Sequence, residues 1–483
     1  MNFKLPFLFI LAGTCQTLCV EPLTLGKHGT QRELFAEQYL VESMTVGVKQ
    51  RLHRPEPKEV VLTTDAPWEG NTSAYYTVFR DGDLFRMYYR GSHWDTGTKK
   101  EAHREVTCYA ESRDGIRWVK PKLGLFEFQG SKENNIVLDG LGTHCFAVFK
   151  DSNPEARPEA RYRGISRGWP LGKKGLYIFE SPDGLRWKLT KEEPVITEGA
   201  FDSQNLAFWD AGIGKYRAYH RTFVNGIRAI MTETSSDFVH WTKPTLLRYQ
   251  EGMPNQHLYT NAVLPYERAP HLYLGFPTRY LPANGQRVEP TLMVSRDGVN
   301  FHRWIEPIVP ETAPKDRDGN RSNYMSWGVV EIPGRSNHLS VYATEAYYTG
   351  PDSRLRRFEY RKDGFVSVSA GEESGVLVSK PIRIGRLADR LTLNYRARSN
   401  GHIRVGLYEP SGKGISGYSL AECRALTGDE LNQTVMWKRV LGNVVGKTNA
   451  DIGQLRRTHP VVRLKVEIKN ADLFSLQFQP LLR

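Results

Sequence analysis

Three acidic residues in this chain, Glu69, Asp202 and Glu345, lie in short polar stretches and could supply the carboxyl groups needed to cleave a glycosidic bond. Glycoside hydrolysis uses one carboxyl group as proton donor and a second one as base or nucleophile. Burial raises the pKa of one acid, while neighbouring cations and hydrogen bonds keep the other ionised. Because the three residues are far apart in sequence, only a fold that gathers distant segments could bring them together.

Other polar and aromatic residues along the chain are suited to binding a sugar. Aromatic rings can stack on sugar faces, and arginine binds anionic groups through paired hydrogen bonds. Three of the arginines would favour a carboxylated or sulfated sugar, although each could instead neutralise a catalytic carboxylate. The candidate binding residues are Asp65, Trp68, Asn71, Arg90, His144, Gln204, Arg221, His257, Tyr259, Asn261 and Arg279.

Each candidate acid also has a purely structural interpretation. Glu69 could cap the turn that follows Pro67, Asp202 could hydrogen-bond its own loop, and Glu345 could pair with an arginine. We therefore treat the three residues as a hypothesis about the site.

A recurring pattern predicts the fold that would gather these residues. Five short turns of Asp-Gly type, each after an apolar run, are spaced by 54 to 69 residues, and each is preceded by a second hairpin. Asp-Gly between apolar runs indicates a hairpin, since glycine readily adopts a positive φ. Two hairpins in each period make four strands, as in one blade of a β-propeller. The turn aspartates are Asp114, Asp183, Asp237, Asp297 and Asp363.

The pattern therefore predicts an all-β protein with a five-bladed β-propeller from about Leu62 to Tyr360, and a long β-sandwich is the alternative. All inner strands of a propeller run in the same direction, so their starting ends meet at one mouth of the central channel. The candidate residues fall at these starts or on the returning strands. The repeated turns lie between outer strands, so we expect Asp114, Asp183 and Asp297 to be structural.

The remaining segments predict a leader and a second β domain. Residues 1–20 have the features of a secretory signal peptide, which indicates a secreted or periplasmic protein without a membrane span. Residues 21–365 would form the propeller, in which the lead-in 21–60 enters the first blade or closes the last one. Residues 366–483 contain runs in which apolar and polar residues alternate, but they lack the repeated blade pattern. They predict a jelly-roll-like β-sandwich.

Composition excludes several other classes of protein. The formal net charge of +13 is spread along the chain, without a basic helix or a Lys/Arg block, which argues against nucleic-acid binding. The cysteines that follow the leader are too few for a disulfide framework and lack the spacing of a zinc site. We therefore expect a carbohydrate partner, neutral or anionic, and neither a metal nor an organic cofactor.

The chain resembles the five-bladed propeller glycoside hydrolases, the superfamily of invertases, levanases, arabinanases and β-xylosidases. The resemblance is carried by DAPWEGNTSAYYTVFRDGDLFRMYYRG, by FDSQN and by the recurring S-x-D-G-x-x-W turns. It implies that Asp65 or Glu69 holds the place of the first-blade nucleophile or base, and that Asp202 matches the third-blade acid by position. The Arg-Asp-Pro motif of fructosidases is not visible, so sucrose and fructan are not the expected substrates.

The sequence thus favours a secreted glycoside hydrolase that cleaves a poly- or oligosaccharide with paired carboxylates. Two alternatives remain open. One is a non-catalytic glycan-binding propeller that uses the same mouth. The other is a polysaccharide lyase acting on an anionic glycan, in which His257 or Tyr259 would be the base and the arginines would neutralise a uronate.

Overall fold

The computed structural model describes residues 21–310, 323–441 and 444–481, with side chains described outside 439–448. The predicted leader, residues 1–20, lies outside the described residues. The described chain is nearly all β, with one short helix and two 3-10 turns, at Pro158–Ala160 and Pro282–Asn284. The predicted all-β class is confirmed.

Four short strands begin the described chain, and their partners lie much later in the sequence. They are rich in polar residues, as expected for strands with one exposed face. Their bounds are β1 (Arg32–Leu34), β2 (Val41–Met44), β3 (Lys49–Leu52) and β4 (Glu56–Thr63).

Three four-stranded antiparallel sheets follow, each built from consecutive segments of the chain. The first contains β5 (Ala74–Asp81), β6 (Leu84–Gly91), β9 (Val106–Ser112) and β10 (Ile136–Asp139), with a side hairpin of β7 (Trp94–Asp95) and β8 (Lys100–Glu101). The second contains β11 (Ala147–Lys150), β12 (Tyr162–Arg167), β13 (Leu176–Ser181) and β14 (Lys188–Leu189). The third contains β15 (Leu206–Asp210), β16 (Lys215–Val224), β17 (Ile227–Ser235) and β18 (Thr245–Leu246).

The next part of the chain divides between two sheets. The fourth main sheet has five strands: β19 (Arg248–Tyr249), β21 (Leu264–Tyr266), β22 (Ala269–Gly275), β25 (Met293–Ser295) and β26 (Asn300–Arg303). Beside it stands a three-stranded sheet of β20 (His257–Leu258), β23 (Thr278–Leu281) and β24 (Arg287–Pro290).

The fifth sheet joins distant parts of the sequence. It consists of β27 (His338–Glu345) and β28 (Arg354–Arg361), with β4 paired antiparallel to β28 so that Leu62 lies opposite Leu355. Of the two roles considered for the lead-in, β4 thus takes the closing one. The side chain of Tyr342 on β27 donates a hydrogen bond of 2.6 Å to the carbonyl of Gly115, in the turn after β9 of the first sheet. The last sheet therefore contacts the first, as in a closed ring.

A C-terminal nine-stranded sheet completes the fold. It includes β1, β2 and β3, which pair with β36, β30 and β29 respectively. Residues 32–52, which were expected to lead into the propeller, thus belong to this sheet. Its other strands are β29 (Val366–Ala370), β30 (Gly375–Ser379), β31 (Ile382–Arg383), β32 (Arg390–Tyr408), β33 (Asp429–Thr434) and β36 (Val461–Gln479). Outside it are the hairpin β34 (Trp437–Leu441) and β35 (Val444–Asn449) and the helix α1 (Leu455–Thr458).

The number of blades, the domain bounds and the C-terminal sandwich stay predictions. Thr77 of β5 forms a parallel bridge with Trp327, which lies in the segment before β27, so the first and fifth sheets are neighbours. Apolar clusters fill the spaces between successive sheets. One of them joins Phe149 of β11 to Phe238, which follows β17.

Four of the repeated turns share one hydrogen-bond pattern. In the first turn, the Oδ1 atom of Asp114 accepts backbone N–H groups from Ile116 and Arg117 at 2.9 and 2.7 Å. The hydroxyl of Ser112 donates to the same carboxylate and accepts the N–H of Gly115. The same contacts recur around Asp183, Asp237 and Asp297. These aspartates therefore hold turns together by local bonds.

The fifth turn is different, because Asp363 is fully buried and connects separate parts of the fold. Its carboxylate is 3.1 Å from Arg32 and 2.8 Å from Arg268. It also accepts hydroxyl hydrogen bonds from Tyr266 at 2.6 Å and Ser475 at 2.7 Å. We call these five residues the junction cluster. It joins β1, the fourth sheet and β36.

Candidate functional site

The loop that precedes β15 presents Asp202 to solvent on a rigid support. The side chain of Ser203 donates a hydrogen bond of 2.6 Å to the carbonyl of Tyr259. Asn205 donates to the carbonyls of Phe201 and Ser203 at 2.9 and 2.8 Å. These neighbouring bonds hold the loop, while the side chain of Asp202 remains 52% exposed.

His144 connects Asp202 to a second carboxylate, that of Glu105. One ring nitrogen of His144 lies 2.9 Å from Asp202 Oδ1, and the other lies 2.8 Å from Glu105 Oε2. A doubly protonated imidazole donates through both nitrogens, which satisfies both carboxylates. We call Glu105, His144 and Asp202 the acid–histidine chain.

The surroundings keep all three members of this chain charged. The hydrogen bond from His144, together with the charges of His144 and Arg167, holds the pKa of Asp202 well below its usual range. Burial would raise the pKa of Glu105, but His144 and Arg90 outweigh it and lower the pKa to about 2. Burial and Arg90 would lower the pKa of His144, yet its contacts with Cys145 and the hydrogen bond to Asp202 raise it to about 10.

Three arginines surround the acid–histidine chain. Arg167 Nη1 lies 3.1 Å from Asp202 Oδ1, and Arg221 Nη2 lies 3.9 Å from Oδ2. Arg90 lies 3.3 Å from both ring nitrogens of His144 and 3.5 Å from Glu105. Arginine remains charged at any ordinary pH, so the positive potential here is permanent.

Asp202 opens onto a pocket of about 450 Å³. Its wall includes an exposed indole, that of Trp169, and the ring of Phe201. The pocket is lined by Arg167, Trp169, Lys174, Gly175, Ala200, Phe201, Asp202 and Arg221. A cavity of this volume, with an aromatic wall and several charged groups that face it, is suited to a small polar ligand.

Several predicted binding residues lie around this pocket. Arg221 stacks on the ring of Tyr259, with 5.0 Å between the guanidinium carbon and the ring centroid. Gln204 donates to the carbonyls of Tyr75 and Tyr76, so it supports the loop from within. Asn261 is buried and faces the carbonyl of Gln204 at 3.4 Å.

His257 is linked to the site of Asp202 only through other side chains, those of Arg228 and Tyr259. Its Nδ1 accepts the backbone N–H of Arg228 at 3.2 Å, and the Arg228 guanidinium lies over Tyr259 at 5.0 Å. Burial and the Arg228 charge lower the pKa of His257, so its ring is neutral near pH 7.

The structure thus brings together six predicted residues directly or through these supports: Arg90, His144, Asp202, Gln204, Arg221 and Tyr259.

The predicted acid Glu69 lies elsewhere, beneath the first sheet. Its side chain is fully buried and pairs with Lys120 at 2.6 Å. The hydroxyl of Tyr89 donates to Glu69 at 2.5 Å, and the backbone N–H of Ala66 donates at 3.1 Å. These contacts fit the structural interpretation, in which Glu69 holds its own turn, and its catalytic role stays a prediction.

The third predicted acid, Glu345, is also fully buried. It pairs with Arg354 at 2.9 Å and Arg356 at 2.7 Å, both on the neighbouring strand β28. Arg279 likewise pairs with a buried carboxylate, that of Glu289, at 2.7 Å. The expectation that Glu345 and Arg279 face substrate is therefore replaced by roles in ion pairs within the sheets.

The remaining first-blade candidates surround Glu69. Trp68 donates its indole N–H to Asn135 at 2.7 Å, and the exposed Asp65 lies 3.1 Å from Lys120. Asn71 is buried and exchanges hydrogen bonds with the backbone of Trp94. All three residues hold the loops of the first sheet instead of lining the pocket.

Sequence reasoning missed Glu105, Trp169 and Lys174 as site residues. Glu105 directly precedes β9, and β9 pairs with β6 so that Thr107 lies opposite Arg90. This register could have indicated that Glu105 and Arg90 end up close together. Trp169 and Lys174 belong to the loop between β12 and β13, for which the sequence contains no comparable signal.

The part of the chain that the structure describes contains no group of three His, Cys, Asp or Glu residues arranged for a metal ion. Nor does it contain a helix with the length and apolar character needed to cross a bilayer. Cys108, Cys145 and Cys423 are buried free thiols.

The charge on His144 leads to a pH prediction. We expect the ring to stay protonated past pH 8 and to titrate with a pKa of about 10. Its contribution to folding stability is complete below the unfolded pKa, ~6.5, and is lost as the pH rises through the folded pKa. The contribution of Glu105 is complete above ~4.3 and is lost as the pH falls towards 2.

Histidine NMR signals followed from pH 5 to 11, and assigned with His144→Gln, would measure this titration. A His144 midpoint near 7 would contradict the prediction and indicate a solvent-like imidazole. His240, which is exposed and outside the pocket, provides the internal reference.

Comparisons with known proteins find only partial likenesses. No protein-family profile matches it. An uncharacterised protein of Mycobacterium tuberculosis is 30% identical over 143 residues, which cover 28% of this chain and 40% of that protein. The aligned region therefore spans less than half of the relative's length. The similar solved structures include a glycoside hydrolase that is 13% identical with a TM-score of 0.44, over 64% of this chain and 92% of that one.

Particular solved structures show how partial the likeness is. A β-1,2-mannobiose phosphorylase from Listeria innocua is 12% identical with a TM-score of 0.46, over 64% of this chain and 96% of that one. An endo-arabinase from Bacteroides thetaiotaomicron is 11% identical with a TM-score of 0.41, over 64% and 99%. An N-acetylgalactosamine deacetylase from F. plautii is 12% identical with a TM-score of 0.42, over 66% and 97%. At these values the likeness does not extend to activity.

Proposed function

We propose that this protein is a secreted carbohydrate-active enzyme that cleaves glycosidic bonds of a poly- or oligosaccharide in the pocket beside Asp202. The observation that carries the proposal is the state of Asp202. Its carboxylate is held ionised, is half exposed and opens onto a pocket with an aromatic wall. An ionised carboxylate in such a place can stabilise or attack the oxocarbenium-like carbon of a sugar.

The acid–histidine chain supplies the second half of the chemistry. Hydrolysis requires a proton for the departing sugar oxygen and a water molecule whose hydroxyl group ends on the sugar carbon. The Nε2–H of His144, which Asp202 accepts in the free protein, would supply the proton when its hydrogen bond shifts to the sugar oxygen, and the water would return a proton to His144. We assign the role of proton donor to His144. Glu105, on the opposite ring nitrogen, fixes the orientation of the ring and stabilises its charge. The two carboxylates predicted for the reaction are thus replaced by one carboxylate and an imidazolium.

The pocket wall supports a sugar substrate. Trp169 presents an exposed flat ring close to Asp202, and aromatic rings of this kind can stack on the apolar face of a pyranose. The loop that carries Trp169 is closed by a backbone hydrogen bond of 3.0 Å from Gly168 to Gly175. A fixed platform next to a fixed carboxylate orients the scissile bond before reaction.

A panel of purified neutral, carboxylated and sulfated polysaccharides would test this function. We expect new reducing ends from at least one polymer, without products that absorb in the ultraviolet. Unsaturated, ultraviolet-absorbing products would instead show a lyase. Binding without any turnover would show a glycan-binding protein.

A further inference from the structure

The pocket beside Asp202 carries more positive than negative charge. Arg167, Lys174 and Arg221 line it against the single carboxylate of Asp202, which leaves an excess of two positive charges. Behind the wall, the charges of Glu105 and His144 cancel, and Arg90 adds a further one. Low-dielectric walls of one sign concentrate the field in a cleft. An anionic ligand would therefore be attracted to this pocket.

The cations of the pocket are only partly satisfied by protein groups. Within the described chain, no acceptor bonds the buried Nε of Arg167 or the buried Nη1 of Arg221. Lys174 is exposed at the rim, and no ion pair joins it to a described acid. A buried cationic N–H without an acceptor is costly. An incoming anion that draws these side chains towards it would relieve part of that cost.

Two of the three cations, Arg167 and Lys174, flank Trp169 in the segment that joins β12 to β13. Arg167 ends β12, Trp169 follows it, and Lys174 precedes β13. The Arg167 guanidinium carbon lies 5.9 Å from the Trp169 ring centroid. A ring stacked on this indole would therefore have its substituents within reach of Arg167. A simple inorganic anion needs no apolar surface in order to bind. The indole beside these cations therefore favours a charged sugar over such an anion.

We infer that the pocket takes an acidic sugar, with the ring on Trp169 and its carboxylate or sulfate towards Lys174 and Arg167. This inference rests on the proposed function, since it specifies the substrate of the same site. A uronate and a sulfated sugar share the chemistry that these residues recognise, namely a delocalised oxyanion beside a pyranose ring.

Two adjacent lysines provide a matched pair of variants for the test. Lys174 lines the pocket, whereas Lys173 pairs with Glu193 at 2.6 Å outside it. Lys174→Gln and Lys173→Gln remove the same charge from the same loop. Both would be made in a full-length Asp202→Asn background, so that slow turnover leaves the polymer intact during the measurement.

Calorimetry would measure binding to polygalacturonate, to its methyl ester and to a sulfated galactan. We expect Lys174→Gln to weaken binding to one acidic polymer about 5-fold, as for a partly exposed ion pair, and Lys173→Gln to change it less than 2-fold. Neither variant should change binding to the methyl ester. Added salt should weaken the acidic complex. The polymer that responds to Lys174→Gln shows whether the acid is a carboxylate or a sulfate.

Three outcomes overturn the inference. The first is equal affinity for polygalacturonate and its methyl ester without binding of the sulfated galactan, and the second is equal effects of the two lysine variants. The third is failure of binding to both acidic polymers. If the wild-type protein cleaves only neutral polymers, the proposed function stands and the acidic substrate is wrong. If acidic polymers bind through Lys174 and are never cleaved, the inference stands and the enzymatic proposal is wrong.

Discussion

Replacing Asp202 with asparagine is expected to lower kcat about 10²- to 10³-fold, the range found when one group that stabilises charge in the transition state is removed. The amide oxygen can still accept hydrogen bonds from His144 and Arg167, so the loop should keep its conformation. It lacks the negative charge that would stabilise the reacting carbon. Initial rates on the polymer identified in the substrate panel would measure the effect, with thermal unfolding as a check of folding.

The control for this substitution is Asp83→Asn, an equally conservative change at an exposed residue in the turn between β5 and β6. We expect its kcat to match that of the wild type. Glu69→Gln adds a second comparison, since it affects a buried ion pair with Lys120. If folded Glu69→Gln lost turnover while Asp202→Asn retained it, the active site would lie at the first sheet and our assignment would be wrong.

Replacing Asp363 with asparagine is expected to destabilise the fold by about 3–5 kcal/mol, the usual effect of removing one partner from a buried ion pair. Arg32 and Arg268 would then lie in the junction cluster without their counter-charge. Chemical denaturation followed by fluorescence would measure the free energy of unfolding. If denaturation shows more than one transition, we expect Asp363→Asn to move the first transition to a lower denaturant concentration.

A nearby pair gives a matched control. Asp429 pairs with Arg361 in the same region but is half exposed. Asp429→Asn should therefore cost no more than about 1 kcal/mol, because solvent screens such pairs. Equal losses from both variants would show that the junction cluster contributes no more than a surface contact.

The same carboxylate adds a pH dependence. Burial would raise the pKa of Asp363, but Arg268 and Arg32 lower it to about 2. A depressed acid stabilises the folded state above its unfolded pKa, ~3.9, and the effect is lost as the pH falls through the folded value. Acid unfolding of the wild type should therefore include a component that Asp363→Asn lacks.

The all-β class could be predicted because its signals are local. The hydrogen bonds around Asp114 connect residues that are two or three positions apart, so the short motif largely determines the turn. The partner of β4 is a different matter. Leu62 pairs with Leu355, and nothing in either short segment specifies the other. Such pairing is decided by the whole fold, which is why the sequence left two roles for the lead-in.

The site could be predicted only in part for a related reason. Asp202 and His144 fall at strand starts, where the propeller hypothesis places functional groups. Glu69 falls at such a position too, but its carboxylate turns towards Lys120 beneath the sheet. The direction of a side chain in a loop depends on contacts that residue types do not reveal. Glu105 was missed because its role depends on the register of β9 against β6.

The pairing of β1 with β36 has a consequence for how the molecule is made. Arg32 lies opposite Gln477, 445 residues later in the sequence. At the usual elongation speed of ~5–20 residues per second, a ribosome needs roughly 20–90 s to synthesise the missing partner. During that time the earliest strands wait with open edges, and such edges are sites of wrong association. β1 is thus synthesised long before the strand that secures it.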